Sequence, residues 1–233
     1  MLLYEFDFTV KSSWYKSTNV AFENAAENGN LEIIKHLHEL GYKCSDYYFN
    51  IAFENAAKNG YLEILKYLRE LGYKCSDYYF NIAFENAAEN GNLEILKYLR
   101  ELGYKCSDYY FNIAFEKAAK NGNLEMLKYL HELGYKASKY EFNCVVKSGN
   151  LEVIKYLHEL GYKGAEDTFN SAVESGNLEV IKYFHELGYK GTEYAFNCAF
   201  ESGNLEVIKY LHELGYKGAE WANNLAVKKG YIL

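Results

Sequence analysis

The sequence predicts an all-α protein, a helix-turn-helix solenoid of about seven helix pairs with a terminal half repeat. This prediction depends on a periodic glycine column, a second glycine column in step with it, and apolar stripes at helical spacing. The first column has intervals of 31 and then 27 residues: Gly29, Gly60, Gly91, Gly122, Gly149, Gly176, Gly203 and Gly230. Because all 18 glycines fall in repeat columns, no separate linker or second domain is expected.

The second half of each repeat has the pattern of an amphipathic helix, as the unit 164–190 illustrates. Its apolar stripe contains Leu178, Val180, Ile181, Tyr183, Phe184 and Leu187. Asn177 is placed as the N-cap, and Glu179 lies in the first turn, where the helix dipole favours an acid. Gly188 provides the left-handed residue that ends the helix, and Tyr189 is placed for the apolar contact of a Schellman motif.

The first half of the same unit predicts a shorter helix around Phe169, Ala172 and Val173 that ends at Gly176. In the amino-terminal repeats this half contains four more residues. Four residues are close to one α-helical turn of 3.6, so the insertion preserves the buried face. We therefore expect the first helix to be one turn longer in the amino-terminal repeats.

Repeat boundaries can be placed along the whole chain. Residues 13–136 are expected to form four 31-residue repeats, and residues 137–217 three 27-residue repeats. Residues 218–233 predict a capping half repeat, since polar residues replace recurrent ones there. Residues 1–12 alternate apolar and polar, which predicts a cap segment, either a short strand or an extended cover; a helix also fits.

Composition excludes several classes of protein. Apolar residues make up 49% of the chain, which argues against disorder, and no apolar run is long enough to span a bilayer. A net charge of −7 argues against nucleic-acid binding, because phosphate neutralisation needs a basic surface. The acidic amino terminus does not resemble a signal peptide, and five cysteines without a pairing pattern predict a reducing, cytoplasmic location.

Polar residues recur in columns, one residue per repeat. The histidine column of His131, His158, His185 and His212 is expected to be structural, because donors one repeat apart are badly placed for one metal ion. The asparagine column, from Asn50 to Asn224, is expected to form hydrogen bonds between adjacent repeats, with ligand binding as the alternative. An active site needs unlike residues that converge once, whereas nearly every polar residue here is repeated. The sequence therefore predicts a protein that is not an enzyme and needs no cofactor or metal.

The run GNLEVIKYF at 176–184, followed by Gly188, resembles the second helix of an ankyrin repeat, and FNSA at 169–172 resembles the first-helix motif. The resemblance covers residues 13–230. It differs from the family pattern in its period of 31 or 27 rather than about 33, and in lacking the Thr-Pro opening and the hairpin turn. The chain contains no proline, which is consistent with the loss of the Thr-Pro opening from every repeat. The resemblance implies an ankyrin-like solenoid whose first helices line a concave face.

By this resemblance, the concave side of the first helices in the near-identical repeats is the candidate partner-binding site. We call its members the first-helix surface: Tyr47, Glu54, Asn55, Lys58, Tyr78, Glu85, Asn86, Glu89, Tyr109, Glu116, Lys117 and Lys120. Two of the sets that differ between these repeats, Asn55/Asn86/Lys117 and Lys58/Glu89/Lys120, lie on this surface. They could specify a partner, or the alternating Lys58, Glu89 and Lys120 could form inter-repeat ion pairs of small energy.

Two functions follow from these observations. The first is a non-catalytic scaffold that binds another protein through the first-helix surface. The alternative is a structural repeat protein that self-associates through its aromatic amino-terminal segment or its carboxyl end. Neither function involves nucleic acid or a membrane.

Overall fold

The computed structural model describes residues 17–103, 105–135, 138–228 and 230–231. In these residues every regular element is an α-helix, which confirms the predicted all-α class. The chain divides into two compact units, Met1–Ala118 and Ala119–Leu233. The predicted cap segment 1–12 lies outside the described residues.

The first unit alternates first and second helices. They are α1 (17–27), α2 (Leu31–Glu39), α3 (Asp46–Asn59), α4 (Leu62–Glu70), α5 (Asp77–Glu89), α6 (Leu93–Glu101) and α7 (Asp108–Lys120), of which the last two residues belong to the second unit. The first helices bury phenylalanine and alanine, such as Phe49, Phe53 and Ala56, against Ile64 and Leu68 of the second helices. Small alanines between the rings let neighbouring helices approach closely and bury the aromatic side chains fully.

The second unit continues the same alternation with shorter first helices. Its helices are α8 (Leu124–Glu132), α9 (Lys139–Ser148), α10 (Leu151–Glu159), α11 (Thr168–Glu174), α12 (Leu178–Glu186), α13 (Glu193–Ser202), α14 (Leu205–Glu213) and α15 (Glu220–Lys228). The complete first helices α3, α5 and α7 contain 14, 13 and 13 residues, whereas α9, α11 and α13 contain 10, 7 and 10. This confirms the prediction that the amino-terminal repeats have first helices about one turn longer.

The second helix α12 shows how local chemistry ends a helix. The Asn177 side chain accepts a hydrogen bond from the Glu179 backbone N–H at 3.0 Å, as expected of an N-cap. At the other end Gly188 has φ +83°, and the Tyr189 N–H donates to the Phe184 carbonyl at 3.0 Å. The Tyr189 and Phe184 rings lie 5.2 Å apart, so the predicted Schellman motif and its apolar contact are both present.

The apolar stripe of α12 is narrower than predicted. Val180, Ile181 and Phe184 are fully buried, but Leu187 is 42% exposed. Leu187 is the C-cap residue, where the chain has begun to turn towards Gly188. Its inclusion in the buried stripe was therefore wrong, because helical spacing does not extend past the last helical residue.

Candidate functional site

The first-helix surface occupies the same positions of α3, α5 and α7: the second, ninth, tenth and thirteenth residues. Residues seven, eight or eleven apart lie on one side of a helix with 3.6 residues per turn. The tyrosines and Lys58 are exposed, whereas the glutamates, the asparagines and Lys117 are half-buried. Lys120 is the last residue of α7 and lies beyond the end of the first unit.

Three tyrosines at the start of the first helices are its most exposed aromatic groups. Tyr47, Tyr78 and Tyr109 are 60%, 59% and 68% exposed. Each follows an exposed aspartate that opens its helix, after a serine such as Ser45 or Ser76 with extended backbone. A side chain in this first turn has no preceding turn to pack against, which leaves the rings open to solvent.

Each exposed ring contacts the tyrosine that follows it in sequence. The ring centroids of Tyr47 and Tyr48, Tyr78 and Tyr79, and Tyr109 and Tyr110 are 5.2, 5.3 and 5.3 Å apart. The planes are nearly perpendicular, at 88°, 85° and 85°, which is a favourable geometry for aromatic pairs. Each exposed ring therefore packs edge to face against its neighbour in sequence.

The tyrosine pairs of successive repeats interact electrostatically. Desolvation raises the pKa of Tyr79, and Tyr47 and Glu54 of the preceding repeat add to the increase. Tyr110 has a raised pKa for the same reasons, with Tyr78 and Glu85 in the corresponding places. The same electrostatic neighbours thus recur in successive repeats.

The equivalent glutamates Glu54 and Glu85 are contacted by different residues of the following repeat. The Asn86 amide donates to the Glu54 carboxylate at 3.3 Å. The residue equivalent to Asn86 one repeat later is Lys117, and its ammonium forms ion pairs with Glu85 at 2.7 Å and with Glu89 at 2.6 Å. These hydrogen bonds raise the pKa of Lys117 despite the opposing effect of burial.

Burial raises the pKa of Glu54, while the Asn86 hydrogen bond and the more distant Lys58 oppose the increase. Among the residues that the structure describes, no lysine or arginine forms an ion pair with Glu54. Its carboxylate is therefore half-buried and is contacted by the neutral Asn86 amide.

Ion pairs between adjacent repeats explain part of the sequence variation on the first-helix surface. Lys58 is followed one repeat later by neutral Asn86, whereas Glu89 is followed by Lys117, which pairs with it. One inter-repeat ion pair at Glu89 is thus made by Lys117 of the neighbouring column. The sequence pattern groups Glu89 with Lys58 and Lys120 and does not indicate this additional pairing.

The asparagine column connects successive repeats, as predicted. Asn50 and Asn81 accept hydrogen bonds from the backbone N–H groups of Ser76 and Ser107, both at 3.2 Å. In the second unit Asn197 accepts from the Ala219 N–H at 2.9 Å. Each asparagine thereby satisfies a donor at the start of the next first helix.

The histidine column has a structural role in the described parts of both units. His38 pairs with the Tyr67 hydroxyl at 3.3 Å, and His158 with the Tyr183 hydroxyl at 2.9 Å. Within the residues that the structure describes, no group of three metal-ligating side chains converges. Tyrosines of the second helices thus pack between repeats and also bond the preceding histidine.

The cysteines are free thiols with a structural environment. Cys44 and Cys75 are buried, and burial raises the pKa of the Cys44, Cys75 and Cys106 thiols to about 12. A thiol with such a pKa is protonated at neutral pH and a poor nucleophile.

A polar cluster on the first helices of the second unit was not predicted from the sequence. Lys147 forms an ion pair with Glu174 at 2.5 Å, and interactions with Cys198 and Glu174 raise the pKa of the Tyr194 hydroxyl. Lys147 and Glu174 each stand two residues before a glycine of the first column, as Lys58 and Glu89 do. This shared position in the repeat is the sequence feature that could have indicated the cluster.

Comparison with known proteins adds two findings. The family model described as ankyrin repeats (3 copies) matches residues 22–110 and again residues 56–141. A search of curated proteins finds no match. In the described part of the chain, none of the helices has the length and apolarity needed to cross a membrane.

Proposed function

The chain belongs to the ankyrin repeat family, and we propose that it is a non-catalytic scaffold that binds a partner protein through its first-helix surface. Ankyrin repeats generally mediate protein–protein interaction. Our proposal adds to this general role that the partner protein binds to the first-helix surface.

The row of exposed tyrosines is the observation that supports this surface. Tyr47, Tyr78 and Tyr109 recur once per repeat on neighbouring first helices, which pack at roughly 8–10 Å. Tyrosine is enriched among the residues that dominate binding energy at interfaces, because a large ring is buried at low cost in conformational entropy. Half-buried carboxylates and amides on the same side of these helices supply the polar contacts that specify a partner.

Replacement of the three tyrosines tests the proposal. The Tyr47→Ala/Tyr78→Ala/Tyr109→Ala variant and the wild type are used as baits in extracts of the source cell, and captured proteins are quantified by mass spectrometry. A protein retained by the wild type and lost with the variant is then purified, and we expect its affinity to fall at least about tenfold on direct titration.

A matched control removes exposed residues from the second helices instead. Glu32, Glu63 and Glu94 recur once per repeat in the first unit and are highly exposed. Their triple alanine variant is expected to retain the same partner. Equal capture by wild type and tyrosine variant, with both folded by circular dichroism, would reject the first-helix surface as the binding site.

The second candidate function is self-association, and α15 favours it. Trp221 and Leu225 lie one turn apart on this helix and are 51% and 37% exposed. Light scattering over a concentration series distinguishes the candidates. Self-association predicts a dimer that Trp221→Ser/Leu225→Ser dissociates, whereas a monomeric wild type at high concentration excludes it.

A further inference from the structure

We propose that residues 1–12 bind to the apolar outer face of the first helix pair, the face on which a preceding repeat would pack. We call this surface the end face and define it by five side chains of the first repeat: Val20, Ala21, Ile33, Leu37 and Leu40. The inference names the surface that the predicted cap covers, and it does not depend on the first-helix surface.

The exposure of Ile33 identifies this face. Ile33 is 48% exposed, whereas none of its equivalents in the later second helices is more than 2% exposed. These equivalents are Ile64, Ile95, Met126, Val153, Val180 and Val207. The adjacent Ile34 is fully buried, as are the residues equivalent to it. The difference between the first repeat and the others is therefore confined to one side of α2.

Leu37 and Ala21 show the same difference. Both are half-buried, whereas Leu68 and Ala52, at the equivalent positions of the next repeat, are fully buried. Since Ala21 belongs to α1 and Leu37 to α2, the exposed area extends over both helices of the pair.

The first repeat is packed against the repeat that follows it. The Asn59 amide donates to the Glu27 carbonyl at 3.0 Å, and the Tyr67 hydroxyl pairs with His38 at 3.3 Å. The described residues contain no helix pair before α1. It follows that the positions exposed in the first repeat are those that a preceding repeat buries in the later ones.

Two further residues make the end face strongly apolar. Leu40 is 69% exposed and Val20 is 43% exposed. Ile33, Leu37 and Leu40 are four and three residues apart, which places them on the same side of α2 and its C-cap. Terminal repeats of a solenoid need a polar outer face to remain soluble. An apolar outer face therefore indicates that another segment covers it.

Residues 1–12 have the composition and the connection that such a cover needs. Their apolar side chains include Leu2, Leu3, Tyr4, Phe6, Phe8 and Val10. Only residues 13–16 separate them from Ser17, where α1 begins. Twelve residues reach up to about 40 Å, and a pair of packed helices is about 20 Å wide, so the segment is long enough to cross both helices.

The connection to α1 also favours this segment over a second copy of the chain. A segment joined by a short linker has an effective concentration in the millimolar range. A second copy at micromolar concentration is therefore at a roughly thousandfold disadvantage for contacts of the same quality.

Methyl NMR of the full-length protein tests the contact directly. The methyl groups of Ile33 and Leu40 and the rings of Phe6 and Phe8 are observed, and mixtures of labelled and unlabelled protein separate contacts within one chain from contacts between chains. We expect NOEs from the rings to these methyl groups within one chain. NOEs only between chains would assign the end face to a second copy, and a folded protein without any such NOEs would overturn the proposal.

Substitution on the end face gives a second measurement. Ile33→Ser/Leu40→Ser should release the segment, so trypsin should cleave after Lys11 at least about tenfold faster than in the wild type. The control Leu160→Ser/Leu187→Ser replaces two exposed leucines at positions equivalent to Leu40 and should leave the rate unchanged. Equal rates in the two variants, whether raised or unchanged, would contradict binding at the end face.

Substitution in the segment tests the contact from the other side. Phe6→Ser/Phe8→Ser removes two aromatic rings and should change the chemical shifts of the Ile33 methyl groups. Glu5→Ser/Asp7→Ser replaces the polar residues between and beside them and should leave these shifts unchanged. Equal changes with both variants would mean that the aromatic residues do not make the contact, and the proposal would fail.

Discussion

Asn170 illustrates how one side chain joins two repeats. Its amide oxygen accepts a hydrogen bond from the Thr192 N–H at 3.1 Å, and its amide nitrogen donates to the Thr192 hydroxyl at 3.2 Å. Thr192 in turn caps α13 by accepting from the Tyr194 N–H at 3.3 Å. Asn170 is buried, so its amide is satisfied by these bonds within the protein.

The Asn170→Ala substitution should therefore destabilise the protein by about 1–3 kcal/mol, because it removes both hydrogen bonds to Thr192, each worth roughly 0.5–1.5 kcal/mol. Urea unfolding followed by circular dichroism measures the change in the free energy of unfolding. Ser171→Ala, at the adjacent half-buried position, is the control and should change stability by less than about 0.5 kcal/mol. Equal losses for both variants would show that the asparagine bond is not the cause.

The helix caps could be predicted from sequence because their chemistry is local. Asn177, Gly188 and Tyr189 act on backbone groups within a few residues of themselves, so their spacing alone determines their partners. The pairing of Lys117 with Glu85 and Glu89 could not be predicted in this way. It depends on the stagger between neighbouring first helices, which brings the tenth position of one helix to the ninth and thirteenth of the preceding one.

At the scale of the elements, the two repeat lengths differ in the loop before the first helix. Three of the four long repeats have a cysteine there, and Cys44 and Cys75 are buried. Three of the shorter units have glycine, as at Gly191, where an added Cβ atom would lie 2.7 Å from the Phe169 ring. The shorter first helix thus brings the loop closer to the buried aromatic core.

Gly191→Ala is accordingly expected to destabilise the second unit by about 1–3 kcal/mol, since the buried Phe169 ring must move to accept the methyl group. Thermal unfolding by calorimetry gives the change, and Lys190→Ala at the preceding exposed residue serves as the reference. A Gly191→Ala protein as stable as the reference variant would mean that the loop adjusts without cost.

For the molecule as a whole, the buried thiols impose a dependence of stability on alkaline pH. The pKa of Cys44 and Cys75 rises from 9.0 to about 12, mainly by burial. Between these values the unfolded chain releases protons that the folded chain retains, so the stabilising effect is complete below pH 9 and is lost as the pH rises towards 12.

We therefore expect each thiol to lower the free energy of unfolding by up to roughly 1.4 kcal/mol between pH 8 and 10. The Cys44→Ala/Cys75→Ala variant should lose less stability over this interval than the wild type in urea titrations. Any packing defect in the variant appears equally at pH 7 and 8, which separates it from the ionisation effect. Parallel pH curves for the two proteins would contradict the assignment.

The hydrogen bonds between repeats also bear on how the chain folds. The side-chain bonds that connect the described repeats within each unit join residues 22 to 35 positions apart, whether the donor is asparagine, tyrosine or lysine. The entropy lost on closing a loop depends on its length, so each added repeat incurs nearly the same loss as the one before. Low contact order of this kind favours rapid folding that can begin at any helix pair and spread in both directions.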